Sequence, residues 1–143
     1  MLIIGSGSIE YIQYLKSLIP QHQSDSVVFT GIVNSSKVSS LVANSRCLIL
    51  TSYSENFGLV VLEALSLSTP CIVGHNLPWH SIKLSNSGLV CNSEDRNSIT
   101  SSINYMSACP LDDISMMSSN AYDLFVREFS IVRCVKALNV LYD

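Results

Sequence analysis

The sequence predicts an α/β fold in which a parallel β-sheet carries helices on both faces. Short apolar runs such as residues 2–4 and 47–50 lack polar alternation, which is typical of strands covered on both sides. Stretches with the 3.6-residue apolar period of amphipathic helices separate these runs. Strand and helix patterns of this length alternate along the chain, which favours parallel strands joined by crossover helices.

The individual elements follow from their apolar patterns and end signals. The predicted strands are residues 2–4, 27–29, 47–50, 71–73 and 89–91. The predicted helices are residues 9–18, one beginning at Ser35 or Ser36, and residues 57–67, 97–106, 112–125 and 131–142. Ser8, Asp112 and Ser130 are the residue types that cap helix N-termini. The order predicts a Rossmann-like sheet followed by a helical tail.

The bulk composition sets limits on the class of protein. The 143 residues suit one domain with its own core. Only 13% of residues are charged, against about a quarter in typical soluble domains, so either the core is large or another domain or a membrane covers part of the surface. The eight Lys and Arg residues are scattered and the net charge is −3, which excludes a nucleic-acid partner.

The cysteines and histidines do not predict a metal centre. Five cysteines, an odd number, include no C-x-x-C pair and mostly adjoin apolar residues, so we expect reduced core residues in a cytoplasmic protein. His75 and His80 are predicted to lie in a loop, exposed or hydrogen-bonded. No cofactor and no metal is expected.

The segment from Glu55 to Glu63 carries the chemistry. Apolar residues surround Glu63, which predicts a buried helix and a carboxylate that needs hydrogen-bond donors. A buried amide or Lys could supply them, and so could the hydroxyl groups of a sugar. Glu55 lies just before the same helix, either as a solvated acid of the helix start or as a second ligand to hydroxyls.

The predicted start of this helix can hold an anion. The free N–H groups of residues 57–60 and the helix dipole favour a group such as diphosphate. Gly58 has no side chain, which predicts that a ligand can approach the backbone there. The first carboxylate, the free N–H groups and the second carboxylate match, in that order, the sugar hydroxyls, the diphosphate and the ribose of a nucleotide sugar.

At these residues the sequence resembles a known family. Glu55, seven residues and Glu63, with Phe57 and Gly58 between them, are similar to the E-x7-E motif of retaining GT-B glycosyltransferases of family 4, the glycosyl transferases group 1. Further similar stretches, in the family's order, are residues 2–7, 29–31, 63–65, 69–72 and 88–90.

The resemblance implies the C-terminal half of a GT-B fold that binds a nucleotide-diphospho-sugar. It implies that Glu55 is the catalytic-site residue and contacts the transferred hexose, and that Glu63 binds the ribose. It implies transfer with retention of configuration, without a metal, by stabilising the leaving diphosphate. The donor-binding set is completed by Phe57, Gly58, Leu59 and Val60 at the sugar and diphosphate, Gly5 and Gly7 near the phosphates, and Gly31 and Ile32 near the base.

The sequence departs from the family pattern at two places, and these departures determine what we expect of its domain organisation and activity. The family's basic Arg and Lys-Gly element, which precedes the strand at residues 2–4, is absent, and Ser68 replaces the usual Gly before Thr69. We therefore expect residues 1–143 to form one nucleotide-sugar-binding domain that needs an N-terminal acceptor domain or subunit and serves a glycan or lipid acceptor. The alternative is a non-catalytic nucleotide-sugar-binding fragment or subunit. The resemblance implies a cytoplasmic location, with peripheral contact at the inner membrane face left open, and polysaccharide or lipopolysaccharide biosynthesis.

Overall fold

The computed structural model describes residues 1–130, which belong to two compact units, one of Met1–Ser40 and one that begins at Leu41. Each unit has its own parallel sheet and is described by itself. The predicted helix at residues 131–142 and Cys134 lie outside the described residues. The expectation of one nucleotide-sugar-binding domain stays a prediction.

The first unit is built on two strands. Strands β1 (Leu2–Ile4) and β2 (Val28–Gly31) pair in parallel, with Leu2 opposite Val28. Between them lie helix α1 (Ile9–Ser17) and a short 3-10 helix (Gln21–Ser26) that was not predicted. The Ser8 side chain accepts a hydrogen bond from the Tyr11 N–H, so the predicted cap of α1 is confirmed. None of the side chains in residues 1–40 is buried.

The second unit contains the core. Helix α2 (Ser35–Ala43) crosses the boundary between the units, and three parallel strands follow in the order β3, β4, β5. All four residues of the central strand β4 are buried. The elements after α2 are β3 (Leu48–Leu50), α3 (Leu59–Ser66), β4 (Cys71–Gly74), α4 (Ser81–Leu84), β5 (Gly88–Cys91), α5 (Arg96–Ala108) and α6 (Leu111–Phe129).

A cluster of apolar side chains joins the sheet to the last two helices. Its buried members are Ile72, Cys91, Met106, Cys109 and Met117. The Arg46 side chain ties the end of α5 to the sheet, because its Nε donates to the Met106 carbonyl at 2.7 Å and its guanidinium also donates to the Cys109 carbonyl.

The four described cysteines are free thiols. Burial raises the pKa of the Cys47 thiol to about 11, and it also raises the pKa of Cys71 and of Cys91. Burial disfavours the thiolate, so these side chains stay protonated at neutral pH. Cys71, Cys91 and Cys109 are buried, as expected of core residues, and Cys47 is half-buried.

Three details of the helices differ from the sequence prediction. Helix α3 begins at Leu59 and not at residue 57, because Gly58 has a left-handed backbone with φ of 76°. Asp112 does not cap α6, because that helix begins one residue earlier, after Pro110. The short helix α4 was not predicted, since one turn carries no detectable period. Within residues 1–130, no helix is both long enough and apolar enough to cross a membrane.

Candidate functional site

The entry to α3 is shaped by Gly58. This residue is the N-cap of the helix, and its carbonyl accepts a hydrogen bond from the Val61 N–H at 2.9 Å. A Cβ added to Gly58 would lie 3.2 Å from Trp79 Nε1 and 3.3 Å from Leu50 Cδ2. Protein atoms therefore fill the space beside the glycine. Packing and the left-handed backbone therefore explain the glycine. The approach of a ligand to the backbone at Gly58 stays a prediction.

The backbone N–H groups at this entry lack internal partners. Within residues 1–130, no atom accepts a hydrogen bond from the N–H groups of Gly58, Leu59 or Val60. The first N–H groups of a helix point beyond its N-terminus and carry its partial positive charge. The turn therefore has N–H groups free to receive an anion, and the predicted diphosphate site stays a prediction.

Glu55 lies on the loop that leads into this turn. Its carboxylate is exposed, and one oxygen accepts a hydrogen bond from Ser52 Oγ at 2.9 Å. The amide of Asn76 donates to the carbonyls of both Ser52 and Tyr53. Asn76 in turn accepts from Ser93 Oγ at 3.1 Å. The loop that carries Glu55 is thus held by residues that follow strands β4 and β5.

Gly74 leaves room for the Asn76 and Ser93 side chains that hold this loop. A Cβ on Gly74 would lie 2.1 Å from Ser93 Oγ and 2.7 Å from Asn76 Oδ1, so only glycine fits. The sequence argument did not single out Gly74, Asn76 or Ser93. The available signal was their position, because all three lie at the carboxyl ends of parallel strands, where ligand sites of open α/β sheets form.

Phe57 and Trp79 fix the turn from the other side. The Trp79 indole is 1% exposed, and its N–H donates to the Phe57 carbonyl at 2.7 Å. The two ring centroids are 4.9 Å apart, and the Phe129 ring lies 5.3 Å from that of Trp79. The Trp79 side chain therefore packs in the core and positions the entry to α3.

The predicted burial of Glu63 is wrong. Helix α3 buries Val61, Ala64 and Leu65, whereas the Glu63 side chain is exposed. Only one face of this apolar helix is fully buried, so its carboxylate needs no internal partner. Glu63 follows Leu59 by four residues, so the two lie on the same face of the helix.

The remaining predicted site residues belong to the first unit. Gly5 and Gly7 follow β1, while Gly31 ends β2 and Ile32 follows it, so all four lie at the carboxyl ends of that sheet. The Gly5 N–H donates to the Gly31 carbonyl at 3.1 Å, which brings these two glycines together. Their φ angles of 134° and 68° suit glycine. The Ile32 side chain is 81% exposed.

His75 and His80 are both exposed, as predicted. Among residues 1–130, no group of three or more His, Cys, Asp and Glu side chains is arranged to hold a metal ion.

The parallel strands, flanking helices and helix-entry turn are those of a glycosyltransferase fold. The chain belongs to the glycosyl transferases group 1 family, which its residues 1–124 match. The predicted α/β class is confirmed, because the similar solved structures are GT-B glycosyltransferases.

Two curated proteins are similar to parts of the chain. It is 38% identical over 72 residues to N-acetyl-alpha-D-glucosaminyl L-malate synthase of Bacillus anthracis, covering 50% of this chain and 18% of that protein. It is 29% identical over 119 residues to the O-antigen chain mannosyltransferase RfbU of Salmonella typhimurium (strain LT2), covering 82% of this chain and 33% of that protein. The chain therefore spans a third or less of these relatives' length.

Several solved structures share the fold. Sucrose-phosphate synthase from Thermosynechococcus elongatus has a TM-score of 0.77 at 20% identity, over 99% of this chain and 37% of that one. WaaG, a glycosyltransferase involved in lipopolysaccharide biosynthesis, has a TM-score of 0.73 at 20% identity, over 90% and 34%. Anabaena Alr3699/HepE in complex with UDP has a TM-score of 0.70 at 19% identity, over 99% and 40%.

Proposed function

We propose that this chain is the nucleotide-sugar-binding part of a retaining glycosyltransferase, and that the turn entering α3 holds the donor's diphosphate. The observation that carries the proposal is the set of unpartnered N–H groups of Gly58, Leu59 and Val60. Such groups, with the helix dipole behind them, bind phosphate oxygens and stabilise the charge that develops on a leaving diphosphate.

The two carboxylates take different parts of the donor. Glu55 contacts the hydroxyl groups of the transferred sugar, and its hydrogen bond from Ser52 Oγ at 2.9 Å supports a fixed orientation. Glu63 accepts hydrogen bonds from the ribose hydroxyls, and its exposure leaves both oxygens available. Phe57 shapes the turn between them through its carbonyl bond to Trp79.

Within the first unit, taken by itself, four residues are proposed to bind parts of the donor. Gly5 and Gly7 approach the phosphates, and Gly31 and Ile32 approach the base. The exposed Ile32 supplies an apolar surface on which a base can pack, and the glycines leave their backbone accessible.

The names of similar proteins suggest the chemistry of the donor and the acceptor. The HepE structures contain UDP, or UDP-glucose, which favours a nucleotide-diphospho-hexose donor. RfbU is named as an O-antigen chain mannosyltransferase and WaaG is involved in lipopolysaccharide biosynthesis, which favours a glycan or lipid acceptor. Because the chain spans at most a third of the curated relatives it matches, transfer itself requires an N-terminal acceptor-binding domain or subunit.

A calorimetric titration of the chain with UDP-glucose, GDP-mannose and ADP-glucose tests donor binding. We expect one donor to bind, and we expect Glu63→Gln to weaken that donor about tenfold, since a hydrogen-bonded charge contributes ~1.5 kcal/mol or more. Asp123→Asn is the matched control, because Asp123 is an exposed carboxylate on α6.

Failure of all three donors to bind would overturn the proposed function. Binding that is equal in the Glu63→Gln and Asp123→Asn variants would overturn the ribose role of Glu63 alone.

A further inference from the structure

We propose that the second unit holds a second ligand site, for the phosphate group of a small ester, in a cavity between α4 and the ends of β4 and β5. The cavity has a volume of about 390 Å³. Its lining residues are His75, His80, Lys83, Leu84, Val90, Cys91 and Asn92. None of them belongs to the turn that is proposed to hold the donor.

The polar lining consists of hydrogen-bond donors. Lys83 offers three N–H groups, and each histidine offers at least one whether or not it is charged. The Asn92 side-chain oxygen accepts a hydrogen bond from the Glu94 N–H at 3.0 Å, which leaves the amide NH2 as its free end. A phosphate group, with several acceptor oxygens, complements four such side chains.

No carboxylate of the described residues pairs with the positive charge of Lys83 in the cavity. The lining contains no carboxylate, and the one ion pair within residues 1–130 joins Arg127 to Glu128. No atom of these residues forms a hydrogen bond with the side chains of His75, His80 or Lys83. Basic groups that converge on a concave surface without acidic partners favour an anion, and charge-assisted bonds to phosphate are the strong ones.

The size and the apolar rim favour an ester over a bare ion. A volume of about 390 Å³ falls within the range of roughly 300–1,000 Å³ that is typical of small-molecule sites. Leu84 is 87% exposed at the rim, and Val90 is half-buried beside it. These two side chains can cover the carbon portion of a ligand whose phosphate contacts the basic groups.

The cavity adjoins the donor loop without sharing its residues. His75 lines the cavity, and the next residue, Asn76, holds the carbonyls of Ser52 and Tyr53. Phosphate binding in the cavity does not depend on nucleotide-sugar binding, so it can be measured with no donor present.

Proton NMR of the three histidines tests the site directly. The chain is titrated with glycerol 3-phosphate and with inorganic phosphate, at constant pH and ionic strength. We expect the ring signals of His75 and His80 to move and saturate while those of His22, in the first unit, stay in place. We also expect the ester to bind severalfold more tightly than inorganic phosphate, because it alone contacts the apolar rim.

A pair of lysine variants supplies the matched control. Lys83→Met is expected to weaken ester binding about tenfold, the usual effect of losing one charge-assisted bond. Lys37→Met changes an exposed lysine of α2 and is expected to leave binding unchanged. Both side chains are exposed, and circular dichroism verifies that each variant is folded.

Four results would overturn the proposal. The first is that the signals of His75 and His80 stay in place, and the second is that the two lysine variants bind the ester equally. The third is that saturating UDP displaces the ester, because the phosphate would then bind in the donor site. Equal affinity for inorganic phosphate and the ester would reject an ester as the ligand.

Discussion

Ser68 shows how one backbone conformation explains a family preference. It follows α3 with φ of 57°, its N–H donates to the Leu65 carbonyl, and the Thr69 N–H donates to the Ala64 carbonyl. This pair of bonds is the helix ending that calls for a left-handed residue, usually glycine. Glycine is also what the resembling family places before the Thr-Pro pair. Ser68 therefore carries backbone strain that glycine would relieve.

We predict that Ser68→Gly raises the free energy of unfolding by about 0.5–1 kcal/mol. Relief of the left-handed conformation stabilises the folded state by roughly 1–2 kcal/mol, and the greater freedom of the unfolded chain offsets part of it. Urea denaturation measures the difference. In Ser66→Gly, at the last residue of α3, stability should instead fall by about 0.5 kcal/mol. A loss of stability in Ser68→Gly would contradict this reading.

The burial and the contacts of single side chains were the features that the sequence did not predict. The sequence identified Glu55 and Glu63 through their spacing, but it assigned Glu63 to the interior because its neighbours in the chain are apolar. Local composition does not show how much of a helix surface is covered, and α3 leaves Glu63 exposed. The role of Trp79 could not be predicted from the sequence either, because the hydrogen bond from its indole to the Phe57 carbonyl joins residues 22 positions apart.

At the scale of elements, a loop and two strand ends form one polar unit. Asn76 holds the backbone of Ser52 and Tyr53, and Ser93 holds Asn76. The loop has no regular structure of its own, so these bonds determine where Glu55 is presented. Its geometry is therefore set by residues that lie beyond β4 and β5.

We predict that Asn76→Ala weakens donor binding about tenfold and lowers the free energy of unfolding by about 1–2 kcal/mol. Two carbonyls lose their donor, and the loop must be ordered again when the ligand binds. Calorimetry and urea denaturation give the two values. Asn104→Ala, at an exposed position of α5, should change neither. Unaltered donor affinity in Asn76→Ala would show that the loop does not depend on this amide.

The order of the main elements was predictable, and their ends were not. Apolar runs predicted all five described strands, although β4 is the one strand among them that is buried along its whole length. The start of α3 was misplaced because its cap is Gly58, which has no side chain to signal a cap. Helix α4 and the 3-10 helix were missed because four and six residues are too few for a period.

The whole molecule divides into two units of unequal packing. Residues 1–40 contain no buried side chain, whereas the second unit encloses β4 and the apolar cluster around Ile72. Buried apolar contacts determine how often a region opens. The two sheets should therefore differ in local stability.

We predict that amide hydrogens of β4 exchange at least tenfold more slowly than those of β1 and β2 in the free chain. Local opening of the first sheet exposes little apolar surface and so requires less free energy. Hydrogen exchange followed by NMR or mass spectrometry measures both sheets in one sample. Equal protection of β1 and β4 would contradict this difference in packing.

The central claim is that the turn entering α3 holds the diphosphate of a nucleotide sugar. Backbone amide NMR of the chain during titration with UDP tests it most directly. The account predicts that the amide signals of Gly58, Leu59 and Val60 move progressively and saturate, because their N–H groups gain acceptors. If UDP saturates the chain while these three signals stay in place, the diphosphate binds elsewhere and the claim is wrong.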